Sequence, residues 1–403
     1  MSQSAALFGA GVGTLVYLLF TKFKSPVFLG SSFAFLGSMF AAFAGAASME
    51  VGYLGLIIGA IFAGLIYVII GTIVKFVGVN WINKLMPAVV IGPTVAIIGL
   101  SLAGNAVGDM LHYTVNNGSA YEMSAKGLIG LICAIVTMIT VMLCSVYGKK
   151  MTKLIPFILG ILAGYIVASI FTVIGIATHN DVLKIIDFSI FNNMRWLPDF
   201  TFITAFKGIK SISLSYIVTI AVAYIPVAFV VFAEHIADHK NLSSIINEDL
   251  LENPGLHRTL YGDGIGSAIG AFFGGCPNTT YGESIGCVAI TGNASTITIC
   301  LTAIIAIIAS FIAPFITFLA TIPSCVMGGV CVTLYGFIAV SGLKMLQNVD
   351  FNDNANLFTV SSILITGVGG MALQFGKVTL TAVACALILG IIVNKILRRK
   401  TNE

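Results

Sequence analysis

Glu234 and Glu283 are carboxylates set in apolar sequence: Glu234 closes the run Tyr224 to Ala233, and Glu283 lies within the segment Pro277 to Ile290. An ionisable group at membrane depth costs about 2.5 to 3.5 kcal/mol on insertion scales, so each marks a functional position by default. Two carboxylates beside an apolar pocket can accept hydrogen bonds from the ring N–H groups of a ligand. They can also take up and release protons, which would join binding to proton coupling. The alternative for Glu234 is a helix-end carboxylate reaching water. His235 and His239 follow four apart on one helical face, a spacing that zinc proteases use. Ile236 stands where that motif needs its glutamate, so no metal site is assigned, and both histidines are expected at the water boundary. Asp238, one turn after Glu234, is either its relay partner or solvated.

The stretch Cys276-Pro277-Asn278-Thr279-Thr280-Tyr281-Gly282-Glu283 combines a helix breaker, small polar side chains, an aromatic ring and an acid. Non-helical backbone survives at membrane depth only against protein or a water-filled cavity. Its extended part is expected to pair with an extended Gly30-Ser31-Ser32-Phe33 piece, each supplying the other's missing hydrogen bonds. The helix that follows would aim its amide dipoles at the site.

Membrane helices must position these groups. Of the 403 residues 58% are hydrophobic and 9% charged, with a mean hydropathy of +1.03, against roughly 25% charged in an ordinary soluble domain. That excludes a soluble globular protein. The net charge of +4 reads as cytoplasmic loop charge, with no nucleic acid implied. A crossing helix needs about 20 mostly apolar residues, and spans are expected at Ala5 to Phe20, Val51 to Val74, Ala88 to Val107, Leu128 to Val146, Leu154 to Ala177, Ser213 to Ala233, Ile297 to Leu319, Val326 to Ser341, Leu357 to Leu373 and Val378 to Leu397. Ser25 to Gly45, Gly255 to Gly275 and Pro277 to Ile290 are apolar but broken, giving about thirteen crossings in all. If the crossings alternate, Lys22, Lys24, Lys75, Lys84, Lys149, Lys150, Lys153, Lys344, Arg398, Arg399 and Lys400 share the cytoplasmic side, and the C-terminus lies there.

The two broken segments at Ser25 to Gly45 and Gly274 to Gly286 match a transporter built of inverted repeats whose discontinuous helices meet at the bilayer midplane. Residues 1–212 would form the first repeat and 213–403 the second, with core and gate domains interleaved between them. One crossing precedes the broken segment of the first repeat and two precede that of the second, so one helix is expected to be missing at the N-terminus. The eight cysteines form no CxxC pair and read as small buried hydrophobes. The 43 glycines are explained mostly by close helix packing. Asp263 either joins a packed polar network or is a loop carboxylate. The stretch Asp238 to His257 reads as a polar cytoplasmic loop, with Asn253-Pro254 as a helix N-cap and N1 pair.

Phe232-Ala233-Glu234-His235-Ile236, Asn253-Pro254-Gly255-Leu256-His257-Arg258 and above all Pro277-Asn278-Thr279-Thr280-Tyr281-Gly282-Glu283-Ser284-Ile285-Gly286, followed by Ala289-Ile290-Thr291, carry a family resemblance. Gly30-Ser31-Ser32-Phe33-Ala34-Phe35 and Met327-Gly328-Gly329 with Tyr335 match as well. Over essentially its whole length the chain resembles the uracil permeases of the nucleobase and ascorbate transporter family, nucleobase:cation symporter 2. The resemblance implies an all-α polytopic fold of two inverted sevens of helices, with short extended segments in two discontinuous helices, in a multi-pass protein of the cell membrane. It implies a secondary transporter rather than an enzyme, with proton-coupled import of uracil, protons as coupling ion and no other cofactor. By position, Glu234 and Glu283 would hydrogen-bond the pyrimidine, Phe33 and Tyr281 pack around it, the backbone at Gly282 contribute and Tyr335 complete the pocket. Glu234, Asp238 and Glu283 would serve proton coupling. Pairing through the gate domain would make a homodimer in the bilayer.

Three departures from the family pattern stand out. Its first helix has no counterpart before Ser4; Asp238 stands where some relatives carry a histidine linked to proton coupling; and Gly292 replaces a basic residue. The competing readings are a permease for xanthine or another nucleobase, and an inactive truncated permease.

Overall fold

The computed structural model describes residues 2–78, 87–118, 120–149, 151–375 and 378–398. Lys84, Lys150, Arg399 and Lys400, counted above for orientation, lie outside them, as does the side chain of Glu283.

Helix α1 (Gln3–Phe20) leads to strand β1 (Leu29–Ser31), a 3-10 turn at Phe33–Phe35 and α2 (Leu36–Ala44). Next come α3 (Met49–Val77), α4 (Ala88–Ser101), α5 (Ala103–Met110), the small hairpin β2 (Val115–Asn116) and β3 (Tyr121–Glu122), α6 (Ala125–Tyr147) and α7 (Pro156–Ala177). A long connection of short turns precedes α8 (Leu214–Ile246), α9 (Leu256–Gly274), β4 (Asn278–Thr280) and α10 (Gly282–Thr291). The chain continues through α11 (Thr296–Ala309), α12 (Ala313–Ala320), α13 (Ser324–Lys344), α14 (Asn354–Val368), the hairpin β5 (Leu373–Phe375) and β6 (Val378–Leu380), and α15 (Ala382–Arg398). Among the described residues seven spans are long and apolar enough to cross a membrane, or up to eight counting the bent pair α11–α12. This is a helical polytopic membrane protein.

Several expected boundaries move. The span placed at Ile297 to Leu319 is two helices bent by 84°, because three residues around Ser310 interrupt the helical ladder. The final spans do not run Leu357 to Leu373 and Val378 to Leu397, since their inner ends pair as strands with Leu373 opposite Leu380. Gly255 to Gly275, read as broken, is the continuous helix α9, whose glycines serve close packing instead of interrupting it. The span expected to end at Ala233 continues through the expected polar loop to Ile246. Its 33 residues measure about 50 Å, longer than a hydrocarbon core of about 30 Å, so its polar end is helical without being membrane-embedded throughout. Asn253 does not cap α9. Gly255 precedes that helix, and the Asn253 carboxamide oxygen accepts from the Lys24 ammonium at 2.8 Å.

The chain divides into two compact units. The first, residues 1–97, 196–312 and 341–403, is built around α9. A Cβ on Gly264 would meet Gly64 backbone on α3, one on Gly9 would meet Gly270 backbone, and one on Gly13 would meet Gly266 backbone. The glycines of α9 thus bring α1 and α3 against it backbone to backbone. Tyr216 and Tyr224 on α8 occupy the room left by Gly55 and Gly59 on α3. The second unit, residues 98–195 and 313–340, packs α6 on α7 through Gly160 and Gly164. Its core gathers Ile129, Cys133, Ala168, Ile185, Ile186, Cys325 and Val326.

Candidate functional site

Strands β1 and β4 are antiparallel, with Leu29 opposite Thr280, Gly30 opposite Thr279 and Ser31 opposite Asn278. Both ends of the ladder are closed, by Tyr281 N–H to the Phe28 carbonyl and Ser32 N–H to the Pro277 carbonyl. The two broken segments therefore supply each other's backbone partners, as their residues implied. Helix α1 takes up one group that the ladder leaves over and is itself tied to β4. The Thr14 hydroxyl of α1 accepts the outward Leu29 N–H at 2.9 Å, and the Asn278 amide donates to the Gly9 carbonyl at 3.0 Å. The missing Cβ of Gly30 leaves the room that the Tyr281 ring occupies.

Six of the seven expected site residues belong to this unit. Phe33 follows β1, Glu234 and Asp238 stand on α8, Tyr281 precedes α10, and Gly282 and Glu283 open it. Phe33, Glu234, Asp238 and Tyr281 are part-buried and Gly282 is exposed, so this surface is accessible to a ligand. Asp238 is the acceptor of the Thr280 hydroxyl at 3.1 Å. Tyr335 belongs to the other unit, on α13, where its hydroxyl meets the Cys331 thiol.

The histidines are not at a water boundary: His235 and His239 are both fully buried. They lie beyond the expected end of the span, on the continuation of α8, and their ring nitrogens are engaged. His235 Nδ1 meets Asp263 Oδ2 at 2.7 Å and its Nε2 meets Thr259 Oγ1 at 3.0 Å. The Thr259 hydroxyl donates to the Leu256 carbonyl, so His235 Nε2 must be the donor to it. One proton then lies between Nδ1 and Oδ2, and the pair is neutral overall whether written imidazolium–carboxylate or imidazole–carboxylic acid. Asp263 is thus the network residue, not a loop carboxylate. His239 Nδ1 faces the His235 carbonyl at 2.8 Å and must donate, leaving Nε2 to accept from the Tyr17 hydroxyl at 2.8 Å. The same Tyr17 hydroxyl is the donor toward Ser25 Oγ at 2.7 Å, so its one hydrogen is shared between Ser25 and His239 Nε2. The two imidazoles stack with centroids 4.1 Å apart, while His239 Nδ1 bonds the His235 main-chain carbonyl and not its ring; the second network pins the start of the β1 segment to α1 and α8.

Sequence reasoning missed Tyr17, Ser25, Thr259 and Thr280. The available signal was a tyrosine within an apolar helix and an acid within a glycine-rich one, each of which needs a buried partner. Tyr17→Phe should strand His239 Nε2 and Ser25 and cost about 1 to 3 kcal/mol, read as earlier thermal unfolding of the purified protein, with Ser25→Ala milder.

A multi-helix membrane protein whose two broken segments pair short strands beside carboxylates has the inverted-repeat fold of secondary transporters, and solved structures agree. The chain superposes on the transmembrane domain of a cyanobacterial bicarbonate transporter, BicA, with TM-score 0.57 at 15% identity, covering 98% of this chain and 96% of that one. It superposes on the murine Solute Carrier 26 family member A9 anion transporter in the inward-facing state with TM-score 0.67 at 13% identity, covering 99% of this chain and 66% of that one. The chain belongs to the Permease family of xanthine and uracil permease type, whose sequence profile matches residues 1–376. It is 38% identical to the uracil permease of Bacillus subtilis strain 168, over 100% of this chain and 88% of the relative, and 34% identical to that of Escherichia coli K12, over 97% and 84%.

Proposed function

We propose that the protein is a secondary active transporter, not an enzyme, that imports uracil across the cell membrane by proton symport, with protons as coupling ion and no other cofactor. The observation that carries this reading is the junction of β4 and α10, where Tyr281, Gly282 and Glu283 follow a strand whose last residue bonds Asp238 on the helix that also carries Glu234. Uracil offers two ring N–H donors and two carbonyl acceptors, which suits carboxylates, backbone amides and an aromatic face. Relatives over nearly the full length carry the name uracil permease. In this reading Glu234 and Glu283 bind the ring N–H groups, Phe33 and Tyr281 pack on it, Gly282 offers backbone, and Asp238 shares proton coupling with the two glutamates. Residues 1–212 and 213–403 are the repeats, the C-terminus is cytoplasmic, and a homodimer forms through the gate domain.

The test is labelled uracil uptake at two external pH values in cells lacking their own permease, at matched membrane abundance, with unlabelled uracil and xanthine as competitors. Uptake should rise with external acidity and be suppressed by uracil more than by xanthine. Glu234→Gln should lower uptake by roughly 10- to 100-fold, the worth of a hydrogen bond to a charged acceptor. Unchanged uptake and pH dependence in that variant would remove Glu234 from the site.

A further inference from the structure

Thr280 has no part in the reading above, yet it touches the machinery on two sides. It is the last residue of β4 and forms a non-hydrogen-bonded pair with Leu29, as the flanking Tyr281-to-Phe28 bond requires. Its own N–H and carbonyl therefore turn away from β1. That N–H faces the Asp263 carboxyl of α9 without closing a hydrogen bond to Oδ1. Its hydroxyl donates to Asp238 Oδ2 of α8 at 3.1 Å. The other Asp238 oxygen lies 3.7 Å from where a Cβ on Gly282 would stand, so this carboxyl spans the β4–α10 junction. Tyr281, which precedes α10, supplies that helix with no side-chain cap.

We propose that Thr280 is the positioning residue through which the protonation state of Asp238 reaches the turn Tyr281-Gly282-Glu283, an inference that rests on the proton-coupled nucleobase reading above. A hydroxyl donating to a carboxylate makes a bond about twice as strong as one to a neutral acid. A proton arriving at Asp238 therefore loosens the grip on Thr280, and the loss falls one residue before the aromatic ring and two before the first turn of α10. Among the described residues of the first unit, Tyr17 from α1 and Tyr67 from α3 bear on Asp238 electrostatically, and Glu234 stands one turn before it on the same helix. Asp263 of α9 acts on it by way of Thr280. The ladder pins β4 on one edge only, so its free edge responds to the two aspartates.

The experiment uses the full chain in proteoliposomes with labelled uracil, read in two modes: uptake driven by an inward proton gradient, and uracil counterflow without a gradient. Thr280→Val keeps the β-branched shape and removes the hydroxyl. Stimulation by the gradient should fall about tenfold while counterflow persists, and Thr280→Ser should restore stimulation. Unchanged stimulation in Thr280→Val overturns the proposal, as does equal loss of both modes, which marks a merely structural threonine. A double-mutant cycle of Thr280→Val with Asp238→Asn, read as thermal stability of the purified protein, needs no substrate. A coupling energy distinguishable from zero supports the contact, and additivity overturns it. If the wild-type chain moves no uracil in either mode, the uracil reading fails by itself and the cycle decides the role of Thr280.

Discussion

Asp263→Leu should cost about 3 to 5 kcal/mol of stability, the range for removing one partner of a buried pair, whereas Asp263→Asn should cost far less. Asp263 and His235 are 1% and 0% exposed, and His235 Nε2 is already committed to Thr259. Leucine would leave Nδ1 facing a hydrocarbon side chain, with neither water nor protein to satisfy it. Asparagine keeps a polar group opposite Nδ1 in nearly the same volume. The check is resistance of the purified protein to thermal and detergent challenge, with Asp263→Leu, Asp263→Asn and His235→Leu compared. A double variant Asp263→Leu with His235→Leu should recover part of the loss, because it removes both buried polar groups. Equal behaviour of Asp263→Leu and Asp263→Asn would mean that the pair contributes shape and not polarity.

Gly264→Val should nearly abolish folded protein in the membrane. The first side-chain atom would press on the Gly64 main chain and on Tyr67, and a main chain in the middle of a helix cannot rotate aside as a side chain can. Overpacking a core costs typically about 1 to 3 kcal/mol and sometimes more; two helices in main-chain contact stand at the upper end. Gly104→Val on α5 is the control, since among the described residues nothing beyond its chain neighbours and its own helix backbone lies within 4 Å of a Cβ built there. Size-exclusion profiles of fluorescent fusions should show a monodisperse peak for Gly104→Val and aggregate for Gly264→Val. Matching profiles would overturn the claim that α3 and α9 depend on that contact.

Much of this architecture was legible in the residue pattern, for a physical reason. Proline, glycine and serine inside apolar sequence are costly unless the freed backbone finds partners, so Gly30-Ser31-Ser32 and Asn278-Thr279-Thr280 could be matched to each other before any coordinates. The histidines were misplaced because the polar residues after Ala233 looked like the end of the span, whereas the α8 ladder runs on to Ile246 and both imidazoles are buried along it. Their partners, Tyr17 and Asp263, come from other helices, and no local pattern announces a hydrogen bond 222 residues distant along the chain. The interruption at Ser310 was invisible for the opposite reason: serine is compatible with a continuing membrane helix, and its neighbours there are apolar. In the candidate site, the acids and aromatic residues were readable by type, and Thr280 was not, because its importance lies in where β4 points its hydroxyl.

The pairing of β1 with β4 also sets an order of events during synthesis. Thr280 is made 251 residues after its partner Leu29, a delay of about 10 to 50 s at 5 to 20 residues per second. Throughout that interval the first half of the chain holds a segment whose backbone groups have no strand to pair with, in a solvent that offers them nothing. The first three helices therefore cannot settle into their final arrangement as they emerge, and must wait, sheltered by the insertion machinery or by one another, until the second broken segment arrives. The site is completed late, so a ribosome stalled just before residue 280 leaves a chain with helices α1 to α9 and no β1–β4 ladder.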